Sequence, residues 1–214
     1  MLTRVIPEFK LPKGSVQADV EYIKGLGVEI KTHTPVGRAL TLDSLHKKYN
    51  AVLIAIGSSV PTALAIPGAD FEGIYYALTL LEDLKQGKKV SLRGRVIVIG
   101  GGNTAMDVGR AALRLGAEEV CIACLETLEA MPAHPWEIES AKREGVKINP
   151  SLAPQKLRNN GTGRIAGVDF RRVASLTVGN EGILSWTLQE GAGSEISLDA
   201  GAVIIAVGQT PSLS

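Results

Sequence analysis

The chain has 214 residues, 45% of them hydrophobic, and a net charge of +1 from 23 basic and 22 acidic side chains. That apolar content suits one large or two small globular domains, while the balanced charge, with no Lys/Arg run, argues against nucleic acid or a membrane surface as partner. The longest apolar runs, AVLIAIG and AVIIAVG, fall far short of the roughly 20 residues that span a bilayer; with no charged-then-apolar export signal and two cysteines three residues apart, a cytoplasmic setting is expected.

In chain order, apolar residues at three- and four-residue spacing predict helices over 15–26, 42–49, 75–86, 103–115 and 135–144. Between them, β-branched runs predict strands at VEIKTH (28–33), AVLIAIG (51–57), RVIVIG (95–100), EVCIACL (119–125), VKINPS (146–151) and AVIIAVG (202–208). Such alternation is that of an α/β fold with a parallel sheet and crossover helices. From 154 to 200 the period drops to two, with glycine turns at NNGTGR and GNEG, so an antiparallel meander set into the parallel sheet is expected there. Two stretches echo each other: YNAVLIAIGSSVP (49–61) and AGAVIIAVGQTPS (200–212) each run an apolar strand into Ala-x-Gly and a proline. A buried strand with a glycine turn explains either alone; together they point to two crossings between one nucleotide-binding domain and another.

Between those crossings, Val96 to Ile99 delivers Gly100, Gly102 and Ala105 in Gly-x-Gly-x-x-Ala spacing at the mouth of a helix. Gly100 allows the tight strand-to-helix turn, Gly102 leaves room for a pyrophosphate, and Ala105 lets the helix pack closely on the sheet. The helix beginning near Asn103 and Thr104 directs free N–H groups at the phosphates. Because strand, glycines, amphipathic helix, an LGA turn and a second strand follow in order over about 30 residues, the segment reads as a Rossmann-type dinucleotide site rather than a bare βα turn.

At the end of the second strand stands Glu126, placed to accept hydrogen bonds from the adenosine ribose. A 2′-phosphate would call for Arg or Lys, and after Leu125 and Glu126 no base appears before Lys142. NAD(H) is therefore expected over NADP(H). Cys121 and Cys124 lie on an extended strand, where residues three apart face opposite ways, so they read as buried packing cysteines rather than a redox dithiol. His33, His46 and His134 have no ligand spacing, and no metal site is assigned.

In order and spacing, IPEFKLPKGSVQADVEYIKGLGVEIKTHTPVG, LIAIGSSVP, VIVIGGGNTAMDVGRAALRLGAEEV, MPA, EIESAKREGVKI and AVIIAVGQTP resemble the small (beta) subunit of glutamate synthase and its homologues. The likeness runs through essentially the whole chain, and IPEFKLP and GGGNTAMD are its most specific motifs; the flavin-binding region of dihydropyrimidine dehydrogenase and adrenodoxin reductase are more distant relatives. It implies a flavoenzyme in which an NAD(P)H domain is inserted into an FAD domain. Hydride would pass from nicotinamide to FAD and on to an iron–sulfur protein or an electron-acceptor subunit. Two departures stand out. No flavin fingerprint precedes IPEF and the chain stops at QTPSLS, so an internal fragment of a longer protein, with part of its FAD domain, is expected. Where the family's NADPH users carry two arginines, this chain has Leu125 and Glu126.

The resulting expectation is a nucleotide-binding domain over 62–205, a partial FAD-domain segment at 1–61 and a return segment at 206–214. Gly100, Gly102, Asn103, Thr104 and Ala105 are expected at the pyrophosphate and Glu126 at the ribose, with Gly208 and Gln209 near the nicotinamide by family analogy. No catalytic residue is named, because transfer between two cofactors depends on stacking and water exclusion more than on a protein acid or base. The apolar strands 28–33 and 51–57 are expected to promote self-association. The alternative is a non-catalytic nucleotide-binding or subunit-docking module.

Overall fold

The computed structural model describes residues 2–37, 39–179 and 184–212. Helices α1 (Lys13–Gly25) and α2 (Leu42–Lys48) come first, the second capped by Thr41, whose hydroxyl accepts the Ser44 N–H at 3.2 Å. Then follow β1 (Val60–Pro61), β2 (Ile74–Tyr76), α3 (Ala77–Lys85), β3 (Arg95–Ile99), α4 (Asn103–Arg114), β4 (Glu119–Ala123), α5 (Pro135–Arg143) and β5 (Lys147–Asn149). The antiparallel strands β6 (Leu152–Asn159), β7 (Ile165–Val178), β8 (Leu184–Leu188) and β9 (Glu195–Asp199) lead to β10 (Ala202–Ile205) and β11 (Gln209–Thr210).

Strands β2, β10, β3, β4 and β5 form a parallel sheet in that order, and its three central strands are almost wholly buried. Their unbroken apolar runs follow from burial on both faces. On one face α3, α4 and α5 enclose Val96, Val98, Val120, Ile122 and Ile204 with Met106 and Val108. On the other, Ile97, Ile99, Ala123 and Val203 meet Leu157, Val168 and Phe170 of the meander. The sequence therefore placed the meander correctly along the chain but not in space. Strands β6 to β9 make a separate four-stranded sheet stacked on the parallel one, which leaves the five parallel strands uninterrupted.

All five helices lie within a few residues of their sequence positions. The strands predicted at 28–33 and 51–57 do not form. Both segments run without regular pairing, and Leu53, Ile54 and Ile56 are 91%, 61% and 58% exposed. Apolar periodicity marks a segment fit to be a strand, yet the strand exists only when a neighbour accepts its ladder, and no described residue does so here. The two similar stretches do meet: Val60 pairs with Thr210 and Pro61 with Gln209 in the β1–β11 ribbon, flanked by Ser59 N–H to Thr210 O (3.1 Å) and Thr62 N–H to Gly208 O (3.1 Å).

The N-terminal segment is fastened to the outer side of α4 and α5. Lys10 Nζ bridges Asp107 Oδ1 at 2.9 Å and Glu137 Oε1 at 2.8 Å, two carboxylates with side chains about one-tenth exposed. The Phe9 ring lies under the guanidinium groups of Arg110 and Arg114, 4.7 and 4.0 Å from its centroid. Burial lowers the Lys10 pKa, but hydrogen bonds to Glu137 and Asp107 outweigh it and leave the ammonium held above its ordinary value. Among the described residues, no helix is long and apolar enough to cross a membrane.

Candidate functional site

The carboxyl ends of β3, β4 and β10 are drawn together by Gly100 N–H to Ala123 O (2.9 Å) and Ala206 N–H to Ile99 O (2.8 Å). Above them opens a cleft of about 620 Å³, within the size range of small-molecule sites. Gly100, Gly101, Gly102 and Thr104 form its floor, with Cys124, Leu125 and Glu126 at the β4 side and Gly208 and Gln209 at the β10 side. Leu64, Ile66, Leu152 and Pro154 supply apolar walls. In an open α/β sheet this edge, outside the strand carboxyl ends, is where ligands bind.

The three glycines of the turn differ in what they do. Gly100 has φ +135°, and a Cβ there would collide with the Ala206 carbonyl oxygen and stand 2.8 Å from its carbon. It is needed for β3 to turn while lying against the end of β10. A Cβ on Gly101 would stand 2.8 Å from Glu126 Oε2 and 3.1 Å from Cys124 Cβ, so this glycine lets the carboxylate lie against the turn. Gly101 falls outside the Gly-x-Gly-x-x-Ala spacing, and the run of three glycines is its signal in the sequence. Gly102 has open space where its Cβ would be, with nothing within 4 Å. It is the N-cap of α4 and provides no side-chain cap, so the first N–H groups of the helix are left to a ligand.

Of the residues expected from sequence, Gly100, Gly102, Thr104, Glu126, Gly208 and Gln209 all line this one cleft. Asn103 and Ala105 do not line it. The Asn103 carboxamide oxygen accepts the His134 N–H at 2.9 Å, and with Ala133 N–H to Gly101 O (3.1 Å) it ties the Met131-Pro132-Ala133 loop to the glycine turn. The bond to His134 occupies the Asn103 carboxamide oxygen, which leaves its backbone N–H and side-chain NH2 as the groups that could donate to a phosphate. Ala105 is fully buried in the helix-side core, as close packing of α4 on the sheet requires.

Gln209 contributes a further mark of a binding site, because its Oε1 is buried without a hydrogen-bond partner among the described residues. A buried amide oxygen without a donor costs about 1–3 kcal/mol, which a ligand N–H would recover. Open space over Gly102, N–H groups at the start of α4 without a partner among the described residues, a carboxylate at the end of β4 and this lone acceptor together fit a dinucleotide stretched across the strand ends. Cys121 and Cys124 are buried and unbridged. Burial pushes the Cys121 thiol up to about 11 and, with Glu126 adding to it, the Cys124 thiol up to about 12, so neither is a nucleophile at neutral pH.

The chain is 31% identical over 218 residues to NADPH-Fe(3+) oxidoreductase subunit beta of Geobacter sulfurreducens, covering all of this chain and 32% of that protein. It is 36% identical over 222 residues to the glutamate synthase [NADPH] small chain of Escherichia coli K12, covering 99% of this chain and 47% of the relative. The chain thus spans about a third to a half of the length of these relatives. In fold it matches FprA of Mycobacterium tuberculosis, solved in complex with NADPH, with a TM-score of 0.72 at 17% identity over 97% of this chain and 61% of that one. The family model for the pyridine nucleotide-disulphide oxidoreductases matches residues 12–214, and the chain belongs to that family.

Proposed function

We propose that this chain is the NAD(H)-binding portion of a flavin-dependent oxidoreductase, passing reducing equivalents from the nicotinamide to FAD and onward to an iron–sulfur protein or acceptor subunit. Residues 62–205 make up the nucleotide-binding domain, and 1–61 with 206–214 belong to the FAD domain, the chain crossing between them where β1 pairs with β11. The dinucleotide supplies the reducing equivalents, and this chain holds it. Gly102, Asn103 and Thr104 present backbone N–H groups to the pyrophosphate, Glu126 accepts the ribose hydroxyls, and Gly208 with Gln209 lies at the nicotinamide end. Assignment of Gln209 Oε1 to a nicotinamide amide N–H satisfies its buried acceptor.

The observation that carries the choice of NAD(H) is Glu126, whose carboxylate lies against Gly101 in the cleft wall with Leu125 beside it and no Lys or Arg among the described residues that line the cleft. A carboxylate accepts from a free 2′-hydroxyl and repels a 2′-phosphate. Dissociation constants by calorimetry should favour NADH over NADPH by at least about tenfold; tighter NADPH binding would overturn the assignment of Glu126. A second reading, a docking module without catalysis of its own, is favoured by the exposed apolar run at Leu53, Ile54 and Ile56. Flavin content separates the two: a yellow preparation that oxidises NADH supports the enzyme, and a colourless one that binds NADH without turnover supports the module.

A further inference from the structure

The ribbon formed by the end of β7 and by β8 has two chemically distinct faces. Leu176 pairs with Trp186 and Val178 with Leu184, and cross-strand partners share a face of the sheet. The opposite face carries Ser175, Thr177, Ser185 and Thr187, where the Ser175 and Thr187 hydroxyls bond at 2.6 Å and Thr177 donates to Ser185 O at 3.2 Å. Polar and apolar sides are therefore cleanly sorted, yet the apolar side is poorly covered by protein: Val178 is 69% and Trp186 45% exposed. A two-stranded ribbon gains little from an apolar face left in water.

What covers this face is indicated by its position, since Leu184 and Trp186 line the same cleft as Gly102 and Glu126. Two hydrogen bonds fix which end of the cleft it borders. Ser151 donates its N–H to Glu126 O at 2.8 Å, and its own carbonyl accepts from Val173 N–H at 2.9 Å. Strand β7 is therefore linked through Ser151 to the residue assigned to the adenosine ribose and continues, three residues after Val173, to Leu176, the cross-strand neighbour of Trp186. The half of the cleft under the ribbon is the adenosine half.

We propose that Trp186, with Leu176 and Leu184 beside it on the same face, is the platform on which the adenine ring of the bound dinucleotide stacks. The proposal rests on the nucleotide reading of the cleft. A large rigid aromatic that is half exposed in the same cleft as the carboxylate assigned to the ribose suits a planar heteroaromatic ring, which it holds through its face without needing a hydrogen-bond code. The platform would thus fix where adenine lies, while Glu126 reads the ribose 2′ position.

The chain has two tryptophans, so Trp136→Phe leaves Trp186 as the only indole reporter. In that background ADP-ribose should quench the tryptophan emission saturably, with the dissociation constant found by calorimetry, whereas reduced nicotinamide mononucleotide should not. Trp186→Ala should weaken both ADP-ribose and NADH about tenfold, and Trp186→Phe much less, in line with the usual loss when a stacking aromatic is truncated. Unchanged ADP-ribose affinity in Trp186→Ala while NADH still binds the parent chain would overturn the platform and leave the cleft assignment standing. Quenching by the mononucleotide in place of ADP-ribose would move the indole to the nicotinamide and also overturn it. Quenching that follows protein concentration rather than nucleotide would make a second copy of the chain the occupant of this face. If the parent chain binds no NADH, or Gly102→Val binds it as well as the parent does, the nucleotide reading fails and the platform falls with it.

Discussion

Substituting the first and third glycines of the turn should produce opposite phenotypes, because one is held by the fold and the other is open to a ligand. At Gly100 the backbone is at φ +135°, which L side chains rarely adopt, and a methyl group would overlap the Ala206 carbonyl at the end of β10. Gly100→Ala should therefore cost about 1–3 kcal/mol from backbone strain alone, and more as the carboxyl ends of β3 and β10 separate, for a total of about 3 kcal/mol or above. At Gly102 the backbone is extended at φ −89° and ψ 175°, allowed for any residue, and its Cβ would meet nothing within 4 Å. Gly102→Val should lose only about 1 kcal/mol, the difference between glycine and a β-branched residue at a helix N-cap. Its side chain would nevertheless fill the space reserved for the pyrophosphate, so NADH affinity should drop by at least about a hundredfold, or 2.7 kcal/mol. Urea denaturation and calorimetry on both variants provide the comparison. Unchanged NADH affinity in Gly102→Val, or a stability loss in it as large as that of Gly100→Ala, would refute the distinction drawn between the two glycines.

Replacing Leu125 and Glu126 together by arginine should reverse the nucleotide preference, since two guanidinium groups suit a 2′-phosphate; Glu126→Ala alone should only weaken discrimination, and dissociation constants for NADH and NADPH give the readout. Lys10→Met keeps the apolar stem but leaves Asp107 and Glu137 as neighbouring buried carboxylates. It should cost about 2–3 kcal/mol in urea denaturation, below the roughly 3–5 of a fully buried pair because Lys10 still touches water; a loss under about 0.5 kcal/mol would mean the N-terminal clamp carries no stability. Hydrogen bonds from Arg114 and Arg110 hold the Glu144 carboxyl down at about 2. Its folded value is below the ordinary 4.5, so its contribution is present above about pH 4.5 and is lost as pH falls toward 2. Glu144→Gln should flatten that acid limb of the stability profile, and an unchanged limb would assign it to other carboxylates. Cys121 and Cys124 should resist thiol reagents at about pH 8 until the chain unfolds; rapid labelling of the folded protein would contradict their burial.

The local grammar of this chain determined a great deal by itself. Runs such as RVIVI and AVII suit strands covered on both faces, the α4 sequence carries small and apolar residues on one side, and Gly100-x-Gly102-x-x-Ala105 between strand and helix specifies a turn that brings N–H groups to the sheet edge. Glu126 was legible for the same reason, since its distance along the chain from the glycines is set by one helix and one strand. Tertiary structure decided whatever depends on a partner far away in the chain. Residues 51–57 are as apolar as β3, and 28–33 alternate apolar and polar side chains as a half-buried strand would, yet a strand requires a neighbour for its hydrogen bonds and these segments have none among the described residues. Whether Asn103 would face a phosphate or hold the His134 loop depended on a contact across 31 positions. The period of two predicted an antiparallel meander over 154–200, but not that Leu184 and Trp186 on the apolar face of its β7–β8 extension would line the same cleft as the glycine turn. That placement arises only when β6 to β9 stack on the parallel sheet, because burial of Leu157, Val168 and Phe170 against Ile97 and Val203 orients the whole meander and its β7–β8 extension at once.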